Sequence, residues 1–279
     1  MSLSQPMAVG GHSRPSERAA EIRRERRRQS GLVLCCQLLL LAIAIGLWEW
    51  VTSRDPQTAF LFGRPSAIWG FLVAMVQDGS LYRDTSITAL ETVLGFLLGN
   101  ALGTVLGLGL WYSRFVSRVM EPFVIALGSI PIIALAPIVI IWFGTGLASK
   151  VAMATLSVVV VALVTAYKGA MSVDPDQVNL MRTLGARKAT IFTKLVVPAS
   201  LTDIFAGLKL TVGFALIGAI IGEFMSSSAG LGHAIFKAGS LYIISKVFAV
   251  LLVTIALALV LSWLVGKLER LLTPWRAQP

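Results

Sequence analysis

Long apolar runs separated by short polar segments dominate this chain of 279 residues. Six runs are rich in Leu, Ile, Val, Ala and Gly, and they cover about residues 32–51, 86–110, 121–143, 149–167, 206–225 and 247–266. A helix needs about 20 apolar residues to cross a bilayer core roughly 30 Å thick. Because each run meets or approaches that length, the pattern predicts six transmembrane helices.

A seventh apolar stretch, residues 65–77, begins after Arg64-Pro65 and ends at Gln77-Asp78. It is too short to cross a bilayer, so we predict a helix that lies on the membrane or packs over the other helices. The prediction therefore stays at six spans.

The composition agrees with this pattern. Hydrophobic residues make up 56% of the chain and charged residues only 14%, whereas soluble proteins carry about 25% charged residues. So few charges do not cover a water-facing surface, which excludes a soluble enzyme and a disordered chain. The predicted fold class is an all-α integral membrane protein.

The distribution of basic residues predicts the orientation of the spans. Six spans place both termini on one side of the membrane with segments 111–121 and 168–209, and this side holds most of the 24 Lys and Arg residues. Such segments stay in the cytoplasm, so both termini are predicted to be cytoplasmic. Residues 1–31 then form a basic tail attracted to anionic lipid rather than to nucleic acid. Residues 32–58 form an uncleaved first anchor and its outer loop.

Four glycines form a stripe on the second predicted span. Gly95, Gly99, Gly103 and Gly107 recur every four residues, so they leave a groove where another helix can approach closely. Glu91 lies one step earlier on the same stripe. Because a carboxyl inside a membrane is costly, Glu91 either lines a translocation path or is buried against protein.

The third predicted span contains prolines that interrupt it. Pro131 and Pro137 each remove a backbone hydrogen bond and are predicted to kink the helix of residues 121–143. Ser129 is placed to bond a freed carbonyl. Such a broken span either lines a path or reflects irregular packing.

Glu223 follows the glycine-rich fifth span near its outer end. We predict that it either pairs with Lys237 or Lys246 of the next outer loop or contacts the solute.

The sequence contains no pattern typical of catalysis. Cys35 and Cys36 are adjacent in an apolar run, and His12 and His233 lack partners at metal-ligand spacing. A Gly-x-x-x-x-Gly-Lys-Ser/Thr phosphate loop is also missing from the sequence, so ATP hydrolysis by this chain is not expected. We predict that the chain is not an enzyme and binds no metal or cofactor.

The longest cytoplasmic loop is predicted to carry two helices. Asp174 is a suitable N-cap, Pro175 and Asp176 suit the first turn, and Gly185 suits the end, which predicts a helix over about 175–184. A second, basic helix is predicted over about 187–197 and is ended by Pro198.

The first of these helices is too short to be stable alone in water. Leu180 and Leu184 share one face, with Val178 and Met181 beside them. The helix therefore packs against the inner ends of its own spans or enters a groove on a partner. The residues alone favour neither alternative.

This loop resembles the cytoplasmic loop of binding-protein-dependent ABC importer permeases. The pattern of that family is Glu-Ala-Ala, three residues, Gly, nine residues, Ile, any residue, Leu-Pro. Gly185 and Pro198 match at the right separation, and Leu195 and Val197 are apolar replacements. The Glu-Ala-Ala triplet is not matched, because it falls on Asn179, Leu180 and Met181.

Further motifs, spread over about residues 60–276, resemble the nitrate/sulfonate/taurine branch of these permeases. They are Ile130-Pro131-Ile-Ile-Ala-Leu-Ala-Pro137, Trp142-Phe143-Gly144-Thr-Gly146, Leu184-Gly185-Ala186-Arg187, Gly207-Leu208-Lys209, and Glu223 followed by Gly230-Leu231-Gly232. Residues 59–279 are thereby identified as the permease domain, with a coupling loop over 168–205.

The resemblance implies a multi-pass protein of the bacterial inner membrane that forms a homodimer around one translocation path. ATP would be bound by separate cytoplasmic ATPase subunits, and a periplasmic or lipid-anchored binding protein would deliver the solute. The residues implied in contact with the ATPase are Asp176, Asn179, Leu180, Met181, Arg182, Thr183, Leu184, Gly185, Ala186 and Pro198. The path would include Glu91, Ser129, Pro131, Pro137 and Glu223.

The resemblance implies a small anion as the solute, such as an aliphatic sulfonate, taurine or nitrate. The alternative is a neutral or heterocyclic compound of the thiamine-pyrimidine or riboflavin type, since no Lys or Arg is predicted deep in a span. An ATP-independent secondary transporter is a further alternative, but it would need ionisable residues within several spans. An intramembrane enzyme and a membrane scaffold are less consistent with the pattern.

Overall fold

The computed structural model describes residues 15–272, with the side chains of residues 32–271. These residues form helices and turns, without a strand among them. The helices are α1 (Pro15–Arg54), α2 (Pro56–Phe62), α3 (Pro65–Gln77), α4 (Ser80–Trp111), α5 (Arg114–Ser129), α6 (Ile132–Phe143), α7 (Leu147–Met171), α8 (Pro175–Thr183), α9 (Lys188–Ile191), α10 (Val197–Ser226), α11 (Leu231–Ser240) and α12 (Ile244–Leu272). A first compact unit ends at Ala59, and a second begins at Phe60. The all-helical fold is as predicted.

Within the described residues, five helices are long and apolar enough to cross a membrane. They are Leu32–Arg54 within α1, α4, α7, the segment Lys188–Ser226 and α12. Two further bent pairs, α2 with α3 and α5 with α6, raise this to 7 if each pair is one span. Six spans fall within this range, and their number and orientation stay predictions.

The third predicted span, residues 121–143, is interrupted at Pro131 as predicted, but by a full break between two helices rather than by a kink, and the predicted kink at Pro137 is wrong. Helix α5 begins earlier, at Arg114, and α6 leaves it at an angle of 93°. The break lies at Pro131, which precedes α6 in an extended conformation, since proline has no N–H for a continuing helix. Pro137 lies inside α6, which continues through it. Ser129 donates a hydrogen bond to the carbonyl of Ile125 at 2.9 Å.

The glycine stripe of α4 lies against α7. A Cβ at Gly95 would overlap Ala154, and one at Gly99 would lie 2.6 Å from Val158 Cβ. A Cβ at Gly103 would overlap the backbone carbonyl of Val159. A Cβ at Gly107 would overlap the backbone carbonyl of Leu163. The two backbones approach so closely that only hydrogen fits between them at these four positions.

The short helix over residues 65–77 has the predicted bounds. Ile68 and Met75 are buried, and Met75 belongs to an apolar cluster with Val250 and Leu257 of α12. Helix α3 therefore packs over the other helices, which is one of the two predicted placements.

Polar side chains also join the long helices. Thr211 of α10 donates a hydrogen bond to Asn100 Oδ1 of α4 at 3.0 Å, and both side chains are buried. Lys209 and Glu269 form an ion pair between α10 and α12 with a distance of 2.5 Å. These contacts fix α10 against α4 and α12.

Candidate functional sites

The first candidate site is a buried polar cluster around Glu223, near the end of α10. Thr88 Oγ1 donates a hydrogen bond to Glu223 Oε1 at 2.6 Å, and the Gly232 N–H donates to Oε2 at 2.5 Å. The carboxyl thus lies at the N-terminal end of α11, where free amides favour an anion. The predicted pairing with Lys237 or Lys246 is wrong, because the turn into α11 brings amide donors directly onto the carboxyl.

Helix α4 holds the other side of this turn. Thr88 Oγ1 accepts a hydrogen bond from the Leu231 N–H at 2.8 Å, and Asp84 Oδ1 accepts one from the Gly230 N–H at 3.2 Å. Gly230 has a φ of 108°, which favours glycine, and a Cβ there would overlap the Glu223 carboxyl. The Gly-Leu-Gly motif therefore lets the start of α11 close over Glu223.

Glu91 and Lys150 extend the cluster. Both residues are 3% exposed. Glu91 Oε2 is buried without a hydrogen-bond partner among the described residues. Lys150 Nζ donates to the carbonyls of Thr145 and Ser226. Three ionisable groups are thus buried together.

The sequence did not predict that Lys150 and Glu223 are buried. Lys150 lies close to the start of the fourth span and Glu223 close to the end of the fifth, so they look like solvated ends. The structure buries Glu223 where Thr88 of α4 contacts it, and Lys150 where Gly222 of α10 lies against its side chain. One signal was available: Asp84, Thr88 and Glu91 follow helical spacing and form a polar stripe on α4.

A pocket of about 640 Å³ opens beside this cluster. Its described lining consists of Ile87, Leu90, Glu91, Thr145, Gly146, Leu147, Lys150, Ser226, Ser227, Ser228 and Ala229. The structure therefore brings Glu91 of the predicted path to a pocket, with Glu223 behind it. Ser129, Pro131 and Pro137 lie outside this lining.

The second candidate site is α8, at the opposite end of α7. The Asp174 side chain accepts a hydrogen bond from the Asp176 N–H at 2.9 Å and begins the helix. Gly185 has a φ of 79°, and the Ala186 N–H donates to the Met181 carbonyl at 2.9 Å. This arrangement is a glycine-ended helix terminus, as predicted. The observed helix, Pro175–Thr183, agrees with the predicted one to within a residue.

One face of α8 packs against its own chain and another is exposed. Val178 and Met181 contact an apolar cluster that includes Val173 and Val196. In contrast, Leu180 is 61% exposed and Leu184 is 77% exposed. Asp176, Asn179, Arg182 and Thr183 are exposed too, and Ala186 is half-buried. The helix is thus held from one side, while Leu180 on the helix and Leu184 directly after it are exposed.

The prediction that Pro198 ends a helix over 187–197 is wrong. Helix α9 passes into a π-helical turn at Phe192–Val196 and then directly into α10, which begins at Val197. The wider turn makes room for the proline ring, which clashes with the carbonyl four residues earlier in a regular helix. The segment after α8 therefore runs into α10 without a break.

The fold and these two sites define the class of the protein. Several apolar spans, ionisable groups buried between them and an exposed short helix beyond them are the features of an integral membrane transport subunit. The chain belongs to the family described as binding-protein-dependent transport system inner membrane component, whose family model matches residues 99–274. The resemblance to ABC importer permeases is confirmed. Members of this family are transporter subunits rather than enzymes.

Known proteins similar to this chain differ in their solutes. The formylaminopyrimidine transport permease protein ThiX of Halalkalibacterium halodurans is 36% identical over 67% of this chain and 72% of its own length. The putative aliphatic sulfonates transport permease protein SsuC of Bacillus subtilis is 28% identical over 86% of this chain and 87% of its own length. A chain of the methionine ABC transporter MetNI, solved in inward-facing conformations, has a TM-score of 0.63. With 18% identity over 70% of this chain and 96% of that one, MetNI shows a shared fold.

Proposed function

We propose that this permease uses α8 as its coupling helix, which docks into a groove on a cytoplasmic ATPase subunit. Two copies of the chain enclose one translocation path in the bacterial cytoplasmic membrane. The ATPase binds and hydrolyses ATP, and a separate binding protein delivers the solute. The observation that carries this proposal is the exposure of Leu180 and Leu184 on a helix that is otherwise fixed.

The surroundings of α8 support a docking role. A helix of 9 residues is not stable alone in water, but caps at both ends and the packing of Val178 and Met181 hold this one in place. Exposed leucines on a fixed helix match the anchor residues with which amphipathic helices enter grooves. The missing Glu-Ala-Ala triplet leaves Asn179 at an exposed position, so the polar part of the contact differs from the family pattern.

The proposal assigns a role to each part of the chain. Residues 1–31 form a basic cytoplasmic tail on anionic lipid, and residues 32–58 form the first anchor and its outer loop. Residues 59–279 form the permease domain, whose coupling loop over 168–205 transmits movement through the continuous segment into α10. Both termini are then cytoplasmic, and six spans cross the membrane.

The solute is a small molecule of one of two classes. The sequence resemblance favours a small anion such as an aliphatic sulfonate, taurine or nitrate, and SsuC is named for aliphatic sulfonates. ThiX is named for a formylaminopyrimidine, which supports the heterocyclic alternative. Membership of the ABC importer family removes an ATP-independent transporter from consideration.

Charged substitutions at the two exposed leucines test the coupling proposal. We expect Leu180→Glu combined with Leu184→Glu to lower co-purification of the ATPase at least tenfold, because the charges would enter an apolar groove. Co-purification is measured after mild detergent extraction of the tagged chain, with the partners identified by mass.

Leu241→Glu is the matched control. Leu241 is 60% exposed in the turn between α11 and α12, at a distance along the chain from the coupling loop, so this variant should retain the ATPase. Full recovery of the ATPase with the double variant would contradict the docking role of α8.

A further inference from the structure

A separate pocket of about 460 Å³ lies at the end of α7 that leads into α8, and we call it the inner pocket. It is formed where α4 ends at Trp111 and α7 ends at Met171, and residues at the start of α5 and on α8 complete it. The ends of membrane-spanning helices lie at the level of the lipid headgroups. In the topology proposed above, these headgroups belong to the cytoplasmic leaflet.

The lining of the inner pocket is basic. Arg114, Arg182 and Lys188 all line it, and its described lining contains neither aspartate nor glutamate. Within the part of the chain that the structure describes, neither guanidinium forms an ion pair or a side-chain hydrogen bond. The acids nearest in sequence, Asp174 and Asp176, lie outside the lining, at the start of α8. A cavity surrounded by charges of one sign attracts an ion of the opposite sign.

Aromatic side chains hold the third cation at this level. Lys188 Nζ donates a hydrogen bond to the Tyr112 carbonyl at 2.5 Å. It lies 4.9 Å from the centre of the Tyr112 ring and 5.9 Å from that of the Trp111 ring. Trp and Tyr are typical of the boundary between membrane and water. Phe115, directly after the lining residue Arg114, is 77% exposed, so apolar surface adjoins the basic lining.

The start of α5 adds to the attraction for an anion. Ser113 lines the inner pocket and is the N-cap of α5, where its side chain accepts a hydrogen bond from the Val116 N–H at 3.3 Å. The amides in the first turn of a helix favour negative charge. This effect acts in the same turn as the charge of Arg114.

The side of α8 that lines the inner pocket favours the membrane over the ATPase as the source of the anion. The lining residues of α8 are Pro175, Val178, Asn179 and Arg182. At roughly 100° per residue, their common direction lies about 150° around the helix from Leu180. Leu180 carries the proposed docking to the ATPase, so an ATPase seated there would leave the inner pocket uncovered.

We propose that the inner pocket binds the phosphate of an anionic phospholipid from the cytoplasmic leaflet. Arg114 and Arg182 donate hydrogen bonds to the phosphate oxygens, for which the planar guanidinium is well suited. Lys188 supplies a third positive charge. Basic pockets between spans on the cytoplasmic side are typical sites for such headgroups. The lipid thereby bridges the start of α5 and α8. This site goes beyond the importer function and rests on it only for the orientation of α8.

Titration with phosphatidylglycerol and with phosphatidylcholine tests the proposal. Both lipids contain a phosphate, but only phosphatidylglycerol has a net negative charge. The full chain is purified with its ATPase in detergent micelles, and bound lipid is counted by native mass spectrometry. Phosphatidylglycerol should bind about tenfold more tightly or better, and its advantage should shrink at high salt. Equal binding of the two lipids would overturn the proposal.

Double variants then locate the site. Arg114→Gln combined with Arg182→Gln should lower the affinity for phosphatidylglycerol about tenfold, because two charges near the phosphate are lost. Arg118→Gln combined with Arg187→Gln is the matched control, since it removes the same charge from exposed positions outside the lining. The control should keep the wild-type preference. An equal loss in both double variants would show a general effect of surface charge and overturn the site.

A charge-conserving variant excludes an effect of misfolding. Arg114→Lys combined with Arg182→Lys should keep most of the preference for phosphatidylglycerol, since the positive charges stay while the bidentate geometry is lost. Unfolding temperatures without added lipid should be equal for all variants. A loss of preference in the lysine variant as complete as in the glutamine variant would contradict binding of the phosphate by charge.

Two further measurements distinguish other sources of the anion. Inorganic phosphate lacks the acyl chains that contact apolar surface, so it should not displace phosphatidylglycerol at equal concentration. Displacement would assign the inner pocket to free phosphate and overturn the lipid source. The ratio of ATPase to permease is measured in each sample as well. Loss of the ATPase from the glutamine variant with unchanged lipid binding would assign the two arginines to an acidic group of the ATPase, against the proposal.

The same ratio separates this site from the proposed function. A normal ratio without a preference for phosphatidylglycerol in the wild type would overturn the lipid site and leave the importer proposal standing. Loss of the ATPase from the wild-type preparation would instead contradict the importer proposal, whereas lipid binding in micelles would still report on the inner pocket.

Discussion

Glu223 organises the polar cluster because each of its carboxylate oxygens has a partner on a different element. Thr88 binds one oxygen from α4, and the Gly232 N–H binds the other from the start of α11. A single buried side chain therefore joins α4, α10 and α11.

The close packing of α4 against α7 also depends on single residues, the glycines of α4. A substitution at Gly103 tests this packing most directly. Its added Cβ would overlap the carbonyl of Val159, a backbone atom that does not move aside. We expect Gly103→Ala to destabilise the protein by about 1–3 kcal/mol, the usual cost of overpacking. The measurement is thermal unfolding of the purified protein in detergent, followed by size-exclusion chromatography.

Gly109→Ala is the matched control on the same helix. A Cβ at Gly109 would meet nothing within 4 Å, so this variant should be as stable as the wild type or slightly more stable, since alanine favours the helix. Equal unfolding temperatures for the two variants would show that α4 and α7 are not closely packed at Gly103.

At the scale of elements, the loop that we propose as the coupling loop combines a fixed helix, α8, with a continuous helical connection to α10. The Asp174 cap and the Gly185 turn define the two ends of α8, and Val178 packs against the cluster below it. The π-helical turn at Phe192–Val196 then leads into α10 without a break. In the proposed coupling role, a movement of α8 would be transmitted to α10, which carries Glu223 at its other end.

A substitution at Gly185 tests whether the position of α8 matters for the coupling of ATP hydrolysis to transport. The φ of 79° at Gly185 is costly for other residues, by roughly 1–2 kcal/mol, and a side chain there would otherwise meet open space. We expect Gly185→Val to displace α8 and to abolish most of the stimulation of ATP hydrolysis by the loaded binding protein. ATPase rates in proteoliposomes measure this effect.

A second variant, Gly185→Asn, distinguishes the effect of the backbone conformation at this position from the effect of adding a side chain. Asparagine tolerates the left-handed region better than valine does, so this variant should keep more of the stimulation. Normal coupling in Gly185→Val would count against the role of α8.

At the scale of the whole molecule, the proposed topology places α8 in the cytoplasm and the start of α12 outside. Leu184 and Leu241 are exposed markers of these two sides. In a background of Cys35→Ala and Cys36→Ala, we expect Leu241→Cys to react with a membrane-impermeant maleimide in intact cells. Leu184→Cys should react only after permeabilisation, because the segment into α10 crosses the membrane between them.

A tag after Pro279 extends the same measurement to the C-terminus. With six spans and both termini inside, the tag should be protected from external protease in intact cells. Labelling of Leu184→Cys from outside, or digestion of the tag, would contradict the proposed orientation.

Much of this architecture follows from local sequence and was predicted from it. The positions of most long helices, the bounds of α3 and of α8, and the membership of the permease family depend on residues close together in the chain. Apolar length determines a span, Asp174 and Gly185 determine the ends of α8, and proline near residue 131 interrupts a helix. These are short-range effects of hydrogen bonding, backbone conformation and apolar surface.

Tertiary structure alone decided the features that join distant residues. Lys150 is buried where α10 packs against α7, and Glu223 bonds Thr88 where α4 packs against α10. Whether Pro131 bends or breaks its helix, and whether Pro198 ends one, depends on how neighbouring turns adjust to the missing N–H. The sequence by itself therefore determined the elements and the family. The folded chain decided which polar groups meet, because their partners lie far apart in sequence and meet only when helices pack.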